Sequence, residues 1–450
     1  MKNKAALLYR IQVTGELCLQ TPLLIGSGVD PENTTDIQIL QNKWGQPFIP
    51  GTSLAGVLRH LTESWQGSPA KTLFGFSETE ETDGLQSTIC IDDVLLPEAE
   101  ICIRDGVSID EYTGIAKNKA KYDYEVVERG AQGTFRMTWD IRQKIVDDVP
   151  QWHQFLDDLI RKMAYGFQLG AMTTKGFGCV ALHHAKVGIY NLSQYRDVQA
   201  WLLRQPPQKV YELQAKEMLG EQSLVIEGEF VLKTSLLVRR RDVSSADSAE
   251  NIDVVPQISG KDYLIPGPSV KGVLRHQAIH ILRILGKPEC ALENLMGYAH
   301  DDGEKHKSRF FVDEVYISPQ NVDAVTQTRN AIDRFTGTTI DSRLFTEKPL
   351  WQTDKNVPSV KIRFSIAHCQ NWEIGLALFL LKDLWTGQVA LGGDKAVGRG
   401  YLQGCRADIR LQEHGVLRHW TLNGDGSVVQ GNAEELETFA AALQDVTEGK

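Results

Sequence analysis

Residues 46–60 read QPFIPGTSLAGVLRH, and 216 positions later residues 262–276 read DYLIPGPSVKGVLRH. A shared IPG-x-S-apolar-x-GVLRH frame of this length does not arise by chance, so the chain is expected to hold two copies of one folding unit. Other echoes keep the same order: LFG (73–75) and LMG (295–297), ICIDDV (89–94) and FFVDEV (310–315), IDEYTG (109–114) and IDRFTG (332–337), GFG (176–178) and GRG (398–400). Their offsets stay between 216 and 223, which leaves room for only small insertions. The repeat sets the boundaries: a first copy over 1–186, a connector over 187–222, a second copy over 223–411, and a tail over 412–450. A helix is expected around 195–203. The tail has no visible counterpart and reads as a peripheral appendage ending in an Ala- and Glu-rich helix.

Composition permits two full cores. The 450 residues are 42% hydrophobic and 24% charged, close to ordinary soluble usage. No run approaches the roughly 18 apolar residues of a membrane span. The start, MKNKAALLYRIQ, lacks the apolar core of a secretory signal, so no membrane role and a cytoplasmic location are expected. Seven scattered cysteines form no CxxC and read as reduced thiols, with no zinc site. The net charge of −10 argues weakly against a nucleic-acid partner. Eight of those charges lie in two stretches, 78–83 (ETEETD) and 433–450, while basic clusters remain at 117–121 and 239–241. Phosphate binding follows the local groove and not the whole-chain sum.

Each copy shows one coarse pattern. An alternating strand comes first (LLYRIQVTGELCLQ; SLVIEGEFVLKTSLLV). A helix then opens after IPG, with Thr52 and Ser53, or Ser269, as candidate capping side chains. Leu54, Val57, Leu58 and Leu61 make one apolar face, repeated by Val270, Val273, Leu274, Ala278 and Ile281. More strands follow, then a second helix with Trp152, Phe155, Leu156, Leu159, Ile160 and Met163 on one side, matched over 372–385. A strand closes each copy after the GxG turn. The expected class is therefore α+β, two tandem ferredoxin-like (RRM-like) domains, with insertions at 67–130 and 287–350 projecting as lobes.

The IPG turn sets free backbone N–H groups and a positive dipole end beside Gly51 and Gly267, an arrangement suited to a phosphodiester. A plain turn role fits these glycines as well. Arg59 and Arg275 lie off the apolar stripe and read as solvated or phosphate-contacting. Gly176 and Gly178, with Gly398 and Gly400, remove side chains where a polymer backbone can pass.

Together these motifs resemble the RAMP superfamily, and more specifically the RNA-cleaving backbone subunits of type III CRISPR–Cas effector complexes. The two-copy arrangement resembles the fused subunit of type III-D systems. The resemblance implies that one acid in the loop before the IPG turn is needed to cut target RNA. Asp36, in TTDIQIL, stands 15 residues before Gly51, and Asp253, in NIDVVPQ, stands 14 before Gly267. It also implies transesterification by the target's own 2′-OH, assisted by a divalent cation such as Mg2+. Partners implied are guide RNA (crRNA), single-stranded target RNA and other effector subunits. RNA-binding candidates are Gly51, Ser53, Arg59, Gly176, Gly178, Arg239, Arg240, Gly267, Ser269, Lys271, Arg275, Gly398, Arg399 and Gly400. Asp110 and Asp333, opening the IDxxTG loops, and Glu125 and Glu347, 15 and 14 residues further on, are accessory candidates for positioning RNA or shaping the site. The second copy departs from the pattern where LLVRRRD replaces the glycine-rich LLIGSG. Two rival readings stand beside cleavage. One is a scaffold that only holds guide RNA. The other is a guide-processing endoribonuclease, disfavoured because no histidine precedes His60.

Overall fold

The computed structural model describes residues 5–28, 35–65, 67–76, 84–110, 113–215, 222–240, 252–299 and 303–446. The acidic run 78–83, Glu111 and Arg241 lie outside them. The chain divides into two compact units. One comprises Met1–Arg104, Tyr122–Thr173 and Phe177–Met218, and the other Asp105–Lys121, Thr174–Gly176 and Leu219–Lys450.

Unit 1 is built on β1 (Leu7–Leu19), α1 (Gly51–Glu63), β2 (Ile89–Ile91), β3 (Ile101–Ile109), β4 (Ala116–Val127), β5 (Gln132–Arg142), α2 (Trp152–Tyr165), β6 (Cys179–Asn191), α3 (Tyr195–Leu202) and β7 (Lys209–Glu212). Its sheet runs β7-β6-β1-β5-β2, antiparallel throughout. In β5 buried and open positions alternate, so Phe135, Met137, Trp139 and Ile141 all face the core. The predicted stripe of α2 is buried to the last residue, from Trp152 to Met163. Each such large side chain contributes about 1.5–3 kcal/mol. The hairpin β3–β4 stands off this sheet, and its distal part, 105–121, groups with the other unit.

Unit 2 contains β8 (Ser223–Leu232), α4 (Gly267–Ile284), β9 (Phe310–Val312), β10 (Gln327–Arg329), β11 (Phe345–Glu347), β12 (Val360–Ile366), α5 (Asn371–Thr386), β13 (Leu402–Glu413), β14 (Val416–Leu422), β15 (Val428–Gln430) and α6 (Ala433–Ala442). Its sheet runs β9-β12-β8-β13-β14-β15. Read outward from the first strand of each copy, this repeats the order of the first sheet, with β15 as an added edge strand.

That correspondence corrects two expectations. The tail is not peripheral: β14 pairs with β13 as β7 pairs with β6, and Trp420, Phe439, Leu443 and Val446 belong to the core of unit 2. The helix α6 lies so close to α5 that a Cβ on Gly375 would come 2.2 Å from the carbonyl oxygen of Phe439. The expected capping side chains do not cap either. The N-cap residues are Pro50 and Pro266, which have no side-chain acceptor, while Ser53 and Ser269 already lie inside the first turn. In α1 a remote side chain does the work, as Gly51 N–H donates to Asp93 Oδ1 at 2.8 Å.

Candidate RNA-cleavage site

The two acids singled out from the sequence are held in the same way. In unit 1 the loop after β1 runs alongside the end of β4, with Ile37 bridging Tyr124 in parallel. Asp36 N–H donates to Asp123 Oδ1 at 2.8 Å, and Asp123 N–H donates back to Asp36 Oδ2 at 2.9 Å. In unit 2 Val254 bridges Glu347 in parallel, Asp253 N–H donates to the Thr346 carbonyl at 2.9 Å, and Thr346 N–H donates to Asp253 Oδ2 at 2.8 Å. Each acid thus takes one backbone amide from a strand 87 or 93 residues further on, not from its own loop. Both residues are exposed. The other carboxylate oxygen accepts no hydrogen bond from the described residues in either copy. One anchored and one open oxygen is the geometry of an oriented proton acceptor.

The paired glutamates are not equivalents. The main-chain bonds Glu125 N–H to Ile37 O and Lys348 N–H to Val254 O match Glu125 with Lys348, so Glu347 answers Tyr124. Counting from the IDxxTG turn lands one residue out, and in a strand that places the side chain on the opposite face. Glu125 Oε2 accepts Ile39 N–H at 3.2 Å and holds the Asp36 loop. Glu347 is 1% exposed. Its Oε2 lies 2.8 Å from Arg399 Nη2 and 3.6 Å from Arg329 Nε. Asp110 and Asp333 close their own turns: Asp110 Oδ1 accepts from Thr113, and Asp333 Oδ1 from Phe335 and Thr336. The bonds from Thr336 and Phe335 hold the Asp333 carboxyl below the usual range.

Several predicted RNA contacts are spent inside the protein. Arg399 is 2% exposed and shared among Glu347, Asp394 (3.0 Å) and Gln327 (3.3 Å), out of reach of a phosphate. Lys271 is buried, its ammonium donating to Ser308 Oγ and Phe310 O at 2.8 Å and to Thr174 O at 3.3 Å. Arg275 Nη1 donates to Gly297 O, and Arg59 pairs with Glu63. Arg239 Nη2 meets Asp394 Oδ1 at 3.1 Å, with the rest of its side chain exposed, and Arg240 N–H donates to Val255 O. The glycines mostly admit protein backbone. A Cβ on Gly51 would sit 2.1 Å from Ile91 O, on Gly267 1.9 Å from Lys175 O, and on Gly176 2.6 Å from Glu314 N. On Gly178 and Gly400 it would meet Leu169 O and Leu391 O at 1.8 and 1.9 Å, whereas Gly398 faces open space.

Burial, reinforced by Lys175 and Arg275, pulls the Lys271 ammonium down to about 7. Unfolded lysine titrates near 10.4, so between these values the unfolded chain binds more protons and stability rises with pH. Denaturation of the wild type from pH 7 to pH 10 should show this slope, on the order of 1 kcal/mol per unit. Lys271→Met should lack that component of the slope.

Among the described residues no group of three or more His, Cys, Asp or Glu is placed to hold a metal ion. Each acid offers a single carboxylate, which suits a magnesium ion only if RNA phosphates and water complete its shell. A cavity of about 390 Å³ in unit 1 lies elsewhere, lined by Glu16, Asp92, Asp93 and Arg136 among others. Its acidic excess does not suit a phosphodiester. No described helix is long and apolar enough to cross a membrane.

The anchoring partners Asp123 and Thr346, and the buried Arg104–Glu128 pair at 2.6 Å, escaped the sequence reading. For Asp123 the signal was present, a second acid in a strand otherwise rich in lysine and tyrosine. A 50-residue stretch is 42% identical to the CRISPR system Cmr subunit Cmr6 of Pyrococcus furiosus, covering 11% of this chain and 14% of that relative's length. Residues 16–181 and 229–403 match the model of the RAMP superfamily. These two matched regions take in both IPG helices and both anchored acids and cover well over half of the sequence, so the chain belongs to the RAMP superfamily.

Proposed function

We propose that the chain is a subunit of a type III CRISPR RNA-guided effector, fused from two ferredoxin-like backbone domains as in type III-D systems. It holds the guide RNA backbone and cuts complementary target RNA once per domain. The family supports the setting, and the βαββαβ order with spatial order β6-β1-β5-β2 supports the domain type. The observation that carries cleavage is the duplicated acid, anchored by one oxygen and open at the other. In this reading the open oxygen of Asp36 or Asp253 takes the proton of a target 2′-OH, the 2′-oxygen bonds to the adjacent phosphorus as the P–O5′ bond breaks, and the departing 5′-oxygen takes a proton from water, leaving a 2′,3′-cyclic phosphate and a 5′-hydroxyl end. The anchoring amide fixes the direction in which the carboxylate points. A divalent cation, where bound, would neutralise phosphate charge with the acid as its protein ligand. Base pairing with the guide, not the protein, would choose the sequence.

Product mapping on the assembled complex tests this. Two cut positions that depend on this chain are expected in a complementary target. Guide binding without any chain-dependent cut would leave the scaffold reading, which the acids' service as backbone anchors favours as the alternative.

A further inference from the structure

We infer that Arg399 and Glu347 are positioning residues for Asp253, holding the second site by buried charge where the first site is held by aromatic packing. The inference rests on the cleavage reading for its activity readout, but its structural part stands apart from it. Glu347 directly follows Thr346, whose amide aims the acid, and bridges Val254, which directly follows the acid. Its carboxylate is ion-paired to Arg399, Arg399 to Asp394, and Asp394 to Arg239. Arg239 in turn bridges Pro256, three residues beyond Asp253. The chain of charges therefore grips the acid's loop at two points just beyond Asp253, at Val254 and at Pro256. Its central pair is 1% and 2% exposed, so neither member can be rehydrated when the other is lost.

The first copy shows what the same frame needs. The residues answering Glu347 and Arg399 are Tyr124 and Phe177, whose rings meet edge-on at 6.1 Å in a small cluster with Leu24 and Val126. The buried cation there comes from β3: Arg104 lies 5.6 Å over the Phe177 ring and pairs with Glu128. Its counterpart in β10 is Gln327, which accepts from Arg399. Both copies keep a buried cation at this point, one from β3 and the other from the turn before β13, which marks the position as supporting the acid loop.

The test uses the full chain in its complex, with two readouts: amide hydrogen exchange at Thr346, and the two target-RNA cuts. Glu347→Gln and Arg399→Met should each speed exchange at Thr346 by about tenfold or more and slow only the Asp253-dependent cut by a similar factor. The triple variant Gln327→Arg/Glu347→Tyr/Arg399→Phe, which installs the first copy's aromatic pair together with its cation, should bring both readouts back to within about threefold of wild type. Arg399→Lys retains the charge without the fork and guards against a variant that merely fails to fold. Unchanged exchange in the single variants, or a triple variant as impaired as they are, overturns the inference. If Asp253→Ala leaves the cut intact, the cleavage reading fails alone, and exchange at Thr346 still decides this one.

Discussion

An assembled complex carrying Asp36→Ala is expected to lose one target-RNA product and keep the other, and Asp253→Ala to show the reverse. Removing an oriented proton acceptor slows the affected cut by about 10²–10⁴-fold. Because the acids also tie down Asp123 and Thr346, alanine alone confounds chemistry with anchoring. Asparagine separates them. Its amide oxygen still accepts the strand N–H but cannot take up a proton at neutral pH. Asp36→Asn and Asp253→Asn should therefore abolish the same cuts with guide binding and melting temperature unchanged. A complex in which the asparagine variants cut normally while the alanine variants do not would reduce both acids to anchors.

The second large effect concerns stability. Gly178→Ala and Gly400→Ala would each drive a methyl group to within 2 Å of a backbone carbonyl, on Leu169 and Leu391, at positive φ. A main-chain atom cannot swing aside as a side chain does, so each change should destabilise its unit by about 3 kcal/mol or more, read from denaturant midpoints. Gly398→Ala, at φ 86° with nothing within 4 Å, carries only the conformational cost of about 1 kcal/mol. Similar losses at all three positions would contradict the packing account. Guide RNA affinity should separate the same residues the other way: only Gly398 is open to a ligand.

The frame of the molecule was readable because it is local. Apolar spacing in 152–163 and alternation in 132–142 report which face is buried without naming what covers it. The IPG repeat located both helix starts within a residue. What stayed hidden depends on partners far along the chain. Arg399 reads as a free phosphate ligand until Glu347, Asp394 and Gln327 close around it. The acid's anchor is 87 or 93 residues away, and the glycines show a need for space without showing that protein backbone fills it. The pairing of Glu125 with Glu347 failed by one position, which period-two geometry turns into opposite faces.

The flanking strand of each sheet carries a practical lesson for anyone dissecting this polypeptide. In unit 1 that strand, β7, is the linker itself, and in unit 2 its equivalent comes from the C-terminal region. Trimming at residue 412 would strip β13 of its neighbour, take Trp420, Phe439 and Leu443 out of the core and leave a raw sheet margin prone to self-association. Halves intended for separate expression should be divided beyond Leu213, so that each keeps its own selvedge.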